Sequence, residues 1–422
     1  VTKHAALWNP LANASHPAGW ISSDAITLSN LIHQGIQPSP LMVCSGGTSS
    51  RCAADGLWTL DLRARHRQLV ISEAGDEVEI GAGLSMAEVL EGLQTRGRSI
   101  PVGLSTVPGC GFVLTGGISP LSRSQGLAMD HIVGLRGVWG NGDCFELSAP
   151  VSPHEEQQQW RGLLGAAPFL AIVTAIRLRT QELTPLVIWR SIGSAQQLSI
   201  AMEVAEQWNH SASLQWTWNE RIELFIVCFA NDAAAIKAVE SLKTRLGHCP
   251  ESSMKMVPGQ HAQPPFGTLA RSTALQGRIH TEVVSRLGPA WGQRWLALMA
   301  ELEQLMRRRP HPGCQISAQQ LGGKSSQVPV ARTSFLHRDA IWKPWCTAAW
   351  SAGDTKGRDQ ALEWLWQTNN LVSDYCPGAH LAQIHPHLSY HKVELHDAFQ
   401  DWLPGLNQLK SHHDPHGLLP PL

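Results

Sequence analysis

The stretch Gly116-Gly117-Ile118-Ser119-Pro120-Leu121-Ser122-Arg123-Ser124-Gln125-Gly126-Leu127-Ala128-Met129-Asp130-His131-Ile132 decides the fold. No helical period runs through its first half. With the preceding Ile100-Pro101-Val102-Gly103 it makes Gly103 to Ser119 a loop rich in Gly, Ser and Thr. Just beyond, Val138-Trp139-Gly140-Asn141-Gly142-Asp143 has the residues of a hairpin turn between two strands. A long glycine loop that feeds a hairpin calls for strands on both sides, and the flanking sequence supplies them.

Upstream, residues 20–36 read as a helix. Ser22, Ser23 and Asp24 are cap-type residues, and Ile26, Leu28, Leu31 and Ile32 follow at near-helical spacing. Residues 40–43 form a short strand that runs into Ser45-Gly46-Gly47-Thr48-Ser49-Ser50. Residues 57–62 and 77–80 are further strands, and Met86 to Gln94 is an amphipathic helix. The first ~150 residues thus alternate strands and helices around glycine-rich turns, the pattern of a mixed α+β domain. Downstream, residues 171–178 are a strand, and Pro185 marks a boundary. Longer strands then appear (such as 213–218 and 224–229) and alternate with helices such as 233–246 and 291–307, and 250–275 reads as a Pro/Gly/Ser/Gln-rich loop.

Composition narrows the function classes. At 422 residues the chain holds two or three domains. Charged residues are 16%, below the usual ~25%, so extensive burial is expected rather than disorder. A net charge of -1 argues against broad binding to nucleic acid, which needs a basic face. No run of ~18 apolar residues suggests a transmembrane helix. The start at Val1 leaves room for a removed leader. Nine cysteines with no C-x-x-C pair look like reduced thiols, and the expected location is cytoplasmic. The 17 tryptophans suit a core, a domain interface, or the walls of a pocket for a flat substrate. The histidines at 385, 387 and 391 and at 412, 413 and 416 have no cysteine nearby and weak metal-ligand spacing, so no metal is expected. Hydrolase chemistry lacks a G-x-S-x-G elbow.

Four stretches, in order, resemble the berberine bridge enzyme-like branch of the FAD-linked oxidases. The first is Val43 to Ser50. In that family the matching loop cradles the FAD pyrophosphate with backbone N–H groups, which implies FAD contacts from Ser45, Gly46, Gly47, Thr48, Ser49 and Ser50. The second is the loop from Ile100 to Ile132, which implies flavin contacts from Ser105, Gly109, Cys110, Gly111, Thr115, Gly116 and Gly117. The third runs from Trp160 to Leu178, with Ile172 and Val173 on the adenosine side and Ala166, Ala167 and Ala171 where glycines are common. The fourth is Leu321 to Arg338, followed by Trp350. The C-terminal Trp402 to Asn407 with Asp414-Pro415 matches the family's last helix.

The resemblance implies an α+β, two-domain PCMH-type FAD-binding fold with an inserted substrate domain, an antiparallel sheet backed by helices. Residues 1–183 and 377–422 would bind FAD, and 184–376 would form the substrate domain. It also exposes departures. Thr48 stands at the family's histidine for flavin attachment and Ser105 at its cysteine, so the flavin is expected to be non-covalent. Gln327 stands at the catalytic glutamate and cannot act as a base. His380, in Gly378-Ala379-His380, is the nearest counterpart of a family tyrosine. It is either a competent base or a packed side chain. Pro108 stands at the oxygen-gate position, which leaves oxidase and dehydrogenase open. Trp216, Trp218, Gln319, Gln327, Trp342 and His380 are candidate pocket walls. Trp216 and Trp218 share one strand face, which is either pocket or core. The expected function is FAD-dependent oxidation of a small-molecule alcohol or amine, without nucleic-acid or membrane partners. The competing reading is a binding protein that kept the scaffold and lost the flavin.

Overall fold

The computed structural model describes residues 6–35, 40–150, 157–259 and 278–422. Among them the chain builds two main sheets and two small ones. Local sequence explains many of the elements. Ser85 caps Met86–Gln94, and Glu88 returns to the Ser85 backbone, closing a capping box. Met86, Val89, Leu90 and Leu93 fall on one face and are buried. Asp232 caps Ala233–Leu246 by accepting from the Ala235 N–H, with Ala235, Val239, Leu242 and Leu246 inward.

Strands Gly19–Ile21, Trp58–Asp61 and Met42–Cys44 form a small parallel sheet. The helix that follows the first of them, Ala25–His33, starts at the Asp24 cap. Residues 20 and 21 are therefore strand rather than helix, and residue 36 lies outside the described residues. An antiparallel five-stranded sheet runs Leu69–Ile71, Glu77–Gly81, Ala171–Arg179, Ile132–Trp139, Cys144–Ser148. Its central strand, Ala171–Arg179, is buried on both faces over most of its length.

The eight-stranded antiparallel sheet takes strands from Leu186–Gly193 through Trp342–Ser351 and ends on Gly378–Ala379, just past the expected boundary at 376. Helices Ala195–Glu206, Ala233–Leu246, Arg294–Arg307 and Thr355–Ser373 cover one face. Ser253–Val257, expected as loop, is a strand paired with Leu186–Gly193, and residues 260–277 of that expected loop lie outside the described residues.

The second and fourth motifs meet in space. Asp130 pairs with the buried Arg338, Nη2 to Oδ1 at 2.9 Å. The buried Arg123 donates to the carbonyls of Ala212, Leu321, Trp208 and Asn209 at 2.5–3.0 Å. Ser334 N donates to Leu164 O at 2.7 Å, and Trp402 Nε1 donates to Ser334 Oγ at 2.9 Å. Both arginines thus join the glycine-loop half to the eight-stranded sheet. A buried cation must be met by charge or carbonyl dipoles, and here each is.

Candidate active site

A cavity of about 850 Å³ opens where these parts meet, within the range of roughly 300–1,000 Å³ common for ligand pockets. Its main walls are the loop from Ser45 to Cys52, the loop from Leu104 to Thr115, the start of strand Ala171–Arg179, the uncovered face of the eight-stranded sheet, and residues from His380 to Pro386, with Trp8 to Pro10 and Pro420 at its margin. Strand alternation decides which sheet residues face it. Thr281, Val283 and Ser285 line it from one strand, and Lys343 and Trp345 from another.

The two glycine loops touch backbone to backbone. A Cβ at Gly46 would fall on the backbone nitrogen of Gly109, and one at Gly109 would meet Ser45. Gly47 sits at φ +73°, a conformation that glycine adopts without strain. The one-turn helix Pro10–Asn13 braces the first loop. Its cap Asn9 donates from the backbone to Gly47 O (2.8 Å) and from Nδ2 to Thr48 O (3.2 Å).

Most of the expected FAD-contacting residues gather here. Ser45, Gly46, Gly47, Thr48, Ser49, Ser105, Gly109, Cys110, Gly111, Thr115, Ile172 and Val173 all line the cavity. Ser50, Gly116 and Gly117 do not. Ser50 is turned inward, and its Oγ donates to Glu282 Oε1 at 2.5 Å. Gly116 and Gly117 are packed against His380 with Phe335 and against Ala128, so they shape the loop without facing the space.

His380 is on the wall. Its Nε2 lies 3.0 Å from Thr115 O, which can only accept, so that nitrogen carries the hydrogen. Nδ1 is buried and unpartnered. Burial, and after it the nearby Lys343 charge, push His380 down to about 3. At neutral pH the ring is an uncharged hydrogen-bond acceptor and a feeble base.

The other expected walls are corrected. Gln327 is exposed at the end of a 3-10 turn, outside the cavity, because Gly322 and Gly323 turn the chain back toward Arg123. Trp216 and Trp342 are fully buried on the helix-covered face, Trp216 near Trp295 (5.8 Å between centroids) and Trp342 near Trp291 (5.8 Å). Trp218 packs on the same core. Gln319 is buried on the cavity-side face, directly across from Lys343 in register, but does not reach the space.

Sequence reasoning missed Lys343, Ser285, Trp345 and Arg51. Lys343 is buried, its Nζ 4.2 Å from the centroid of the Trp345 ring. Burial pushes it down to about 7. Ser285 Oγ is buried without a hydrogen-bond partner, and so is Arg51 Nε. A lysine inside the apolar run Trp342 to Trp350 was the available signal.

Below the cavity lies a buried ionic cluster. His385 stands between two carboxylates, Nδ1 2.9 Å from Glu394 Oε2 and Nε2 3.3 Å from Glu282 Oε1. Burial alone would lower His385, but the two carboxylates outweigh it and hold the ring charged, up to about 10. Burial would raise Glu282, yet His385, His387 and Ser50 bring it down to about 2.

The residues fit FAD. The cavity is large and mostly apolar, glycines let two backbones close one wall, and unpartnered polar atoms belong to residues that line it. Comparison with known proteins agrees. Residues 37–148 match the FAD binding domain family. An (R)-6-hydroxynicotine oxidase from Paenarthrobacter nicotinovorans is 30% identical over 34% of this chain and 31% of its own length. The FAD-linked oxidoreductase janO from Penicillium janthinellum is 26% identical over 58% of this chain and 53% of its own. The matched stretches therefore span about a third and about half of these relatives. Among solved structures, Physcomitrella patens BBE-like 1 superposes with a TM-score of 0.81 at 17% identity, covering 98% of this chain and 92% of that one. A chitooligosaccharide oxidase does so with a TM-score of 0.81 at 16% identity, again over 98% and 92%. Fold, glycine loops and family match together define an FAD-binding protein. The chain has the fold of the berberine bridge enzyme-like structures, and its residues 37–148 match the FAD binding domain family.

Proposed function

We propose that this protein is an FAD-dependent oxidoreductase that takes a hydride from an alcohol or amine carbon of a small organic substrate, with its flavin held non-covalently. The observation that carries the reading is the cavity itself, with both glycine loops on one side and Ser285, Lys343 and His380 on the other. FAD, when bound, supplies the two-electron acceptor. The protein's own residues hold it by backbone and hydroxyl contacts from Ser45 to Ser49 and from Ser105 to Thr115. Thr48 offers no imidazole for attachment, and burial keeps the Cys110 thiol protonated, up to about 12. The oxidase activity in the names of two similar proteins supports the redox reading.

The purified protein is expected to absorb near about 370 and 450 nm, as flavins do. Acid precipitation should leave the colour in the supernatant. Colour retained in the pellet would show a covalent link and refute the non-covalent reading. A colourless protein that takes up no added FAD would refute the oxidoreductase reading and favour a flavin-free binding protein.

A further inference from the structure

We infer that Lys343 is the proton acceptor of an alcohol-selective site, with Ser285 donating to the substrate hydroxyl and His380 accepting an N–H of the neutral lysine amine; this rests on the oxidoreductase reading. Three buried polar side chains from three segments converge on one end of the cavity. Ser285 lies on Ile279–Leu287, Lys343 on Trp342–Ser351, and His380 just after Gly378–Ala379, its backbone N–H donating to Ser285 O at 3.1 Å. Ser285 Oγ and His380 Nδ1 have no hydrogen-bond partner. Buried polar groups are nearly always satisfied in a folded protein, so unpartnered atoms grouped on a cavity wall point to a ligand that pairs with them.

The roles follow from donor chemistry. His380 Nδ1 can only accept, because Nε2 holds the ring's hydrogen. Ser285 can donate to the substrate oxygen. An amine in its neutral form has a lone pair for a proton. The groups near Lys343 are His380 and Ser285 from neighbouring segments, Gln319 across the strand pair and the Trp345 ring on its own strand, while Arg51, beside Glu282 and Asp55, lines the same cavity. Among the described residues that line the cavity there is no Asp or Glu. Nothing there holds the amine in its charged form except the ring, which contributes modestly, and burial brings it to about 7.

The same inventory selects the substrate class. A substrate amine enters as an ammonium at neutral pH. It would face Lys343 and Arg51 with no carboxylate to pair it, and an unpaired buried charge is costly. A hydroxyl accepts from Ser285 and gives its single hydrogen to the Lys343 lone pair, with no charge to pair. In the oxidation, the C–H bond breaks and its electron pair leaves as hydride for the flavin. The O–H bond breaks, its proton joins the Lys343 Nζ lone pair, and the carbinol C–O becomes C=O. The alcohol loses two electrons and the flavin gains two.

The test uses the full chain loaded with FAD. With lysine labelled with ¹³C at Cε, the Lys343 resonance is assigned by its loss in Lys343→Met and followed against pH. A midpoint near about 7 is expected, against about 10.4 for an ordinary lysine, and a midpoint near 10 overturns the inference. Anaerobic flavin bleaching is then measured with matched probes, 4-hydroxybenzyl alcohol against 4-hydroxybenzylamine and glucose against 1-amino-1-deoxyglucose. The alcohol is expected to bleach the flavin, faster as pH rises through about 7, and Lys343→Met should slow this about 100-fold and flatten the profile. Lys343→Arg keeps the charge but cannot give up its proton, so it should not rescue. Bleaching by the amine members only, or an unchanged rate in either variant, overturns the proposal. A protein that takes up no FAD fails the oxidoreductase reading instead, a result distinct from a loaded protein whose Lys343 titrates near 10.

Discussion

Replacing His385 with leucine is expected to destabilise the protein by about 3–5 kcal/mol near pH 6, the range for removing one partner of a buried ion pair. The variant leaves Glu282 and Glu394, both almost fully buried, facing each other without the ring between them. It also loosens Ser50, which reaches the cluster through Glu282 from the first glycine loop. The pH dependence carries a sign. Glu282 is depressed from 4.5 to about 2, so its contribution is present above about 4.5 and is lost as pH falls toward 2. His385 is raised from 6.5 to about 10, so its contribution is full below about 6.5 and is lost as pH rises through 10. The wild-type protein should therefore gain most from this cluster between about pH 4.5 and 6.5. In the variant Glu282 loses its main counter-charge, and because its contribution in the wild type fades as pH falls toward 2, the deficit should shrink toward acid. Urea denaturation of both proteins at several pH values checks this. A loss below about 1 kcal/mol at pH 6 would show that the cluster does not hold the fold.

Gly46→Ala is expected to abolish FAD retention. The added carbon would overlap the backbone of Pro108 and Gly109, which cannot swing aside as a side chain end does. The two loops would have to part, and both line the cavity. Overpacking of this kind costs about 1–3 kcal/mol even where side chains can adjust. The flavin-to-protein absorbance ratio after gel filtration and the melting temperature report the outcome. A variant as yellow and as stable as the wild type would mean that the loops do not need their close approach.

Legibility followed the range of the interactions. Met86–Gln94 and Ala233–Leu246 have the bounds read from the sequence, because caps and apolar periodicity act within a few residues. The glycine loops were legible because only glycine tolerates such backbone approach. The failures are tertiary. On Trp342–Ser351 a single-residue step separates the face under the helices from the face toward the cavity. Aromatic character selected Trp342, but large apolar side chains belong under the helices, and the cavity received Lys343. Gln327 was chosen by position in a motif, yet its turn carries it to the surface. Ser253–Val257 is an edge strand with mostly exposed side chains, so its composition resembles loop. Arg123 and Asp130 were read as part of the flavin loop and Arg338 as part of a substrate-domain segment, and the structure uses them to fasten the two together.

The cavity is assembled from both ends of the numbering. Asn9 braces its first loop, while His380, Gln383 and Pro420 complete its far wall, and Leu41 N–H bonds to Leu418 O at 2.7 Å. A ribosome therefore delivers both glycine loops long before the residues that close the cofactor compartment. Contacts this distant in sequence form late and slowly, so a nascent chain that has displayed both glycine loops still has no enclosed place for flavin. Capture must wait until the residues around 420 clear the exit tunnel, so FAD supplied while only the two glycine loops have emerged finds no compartment to fill.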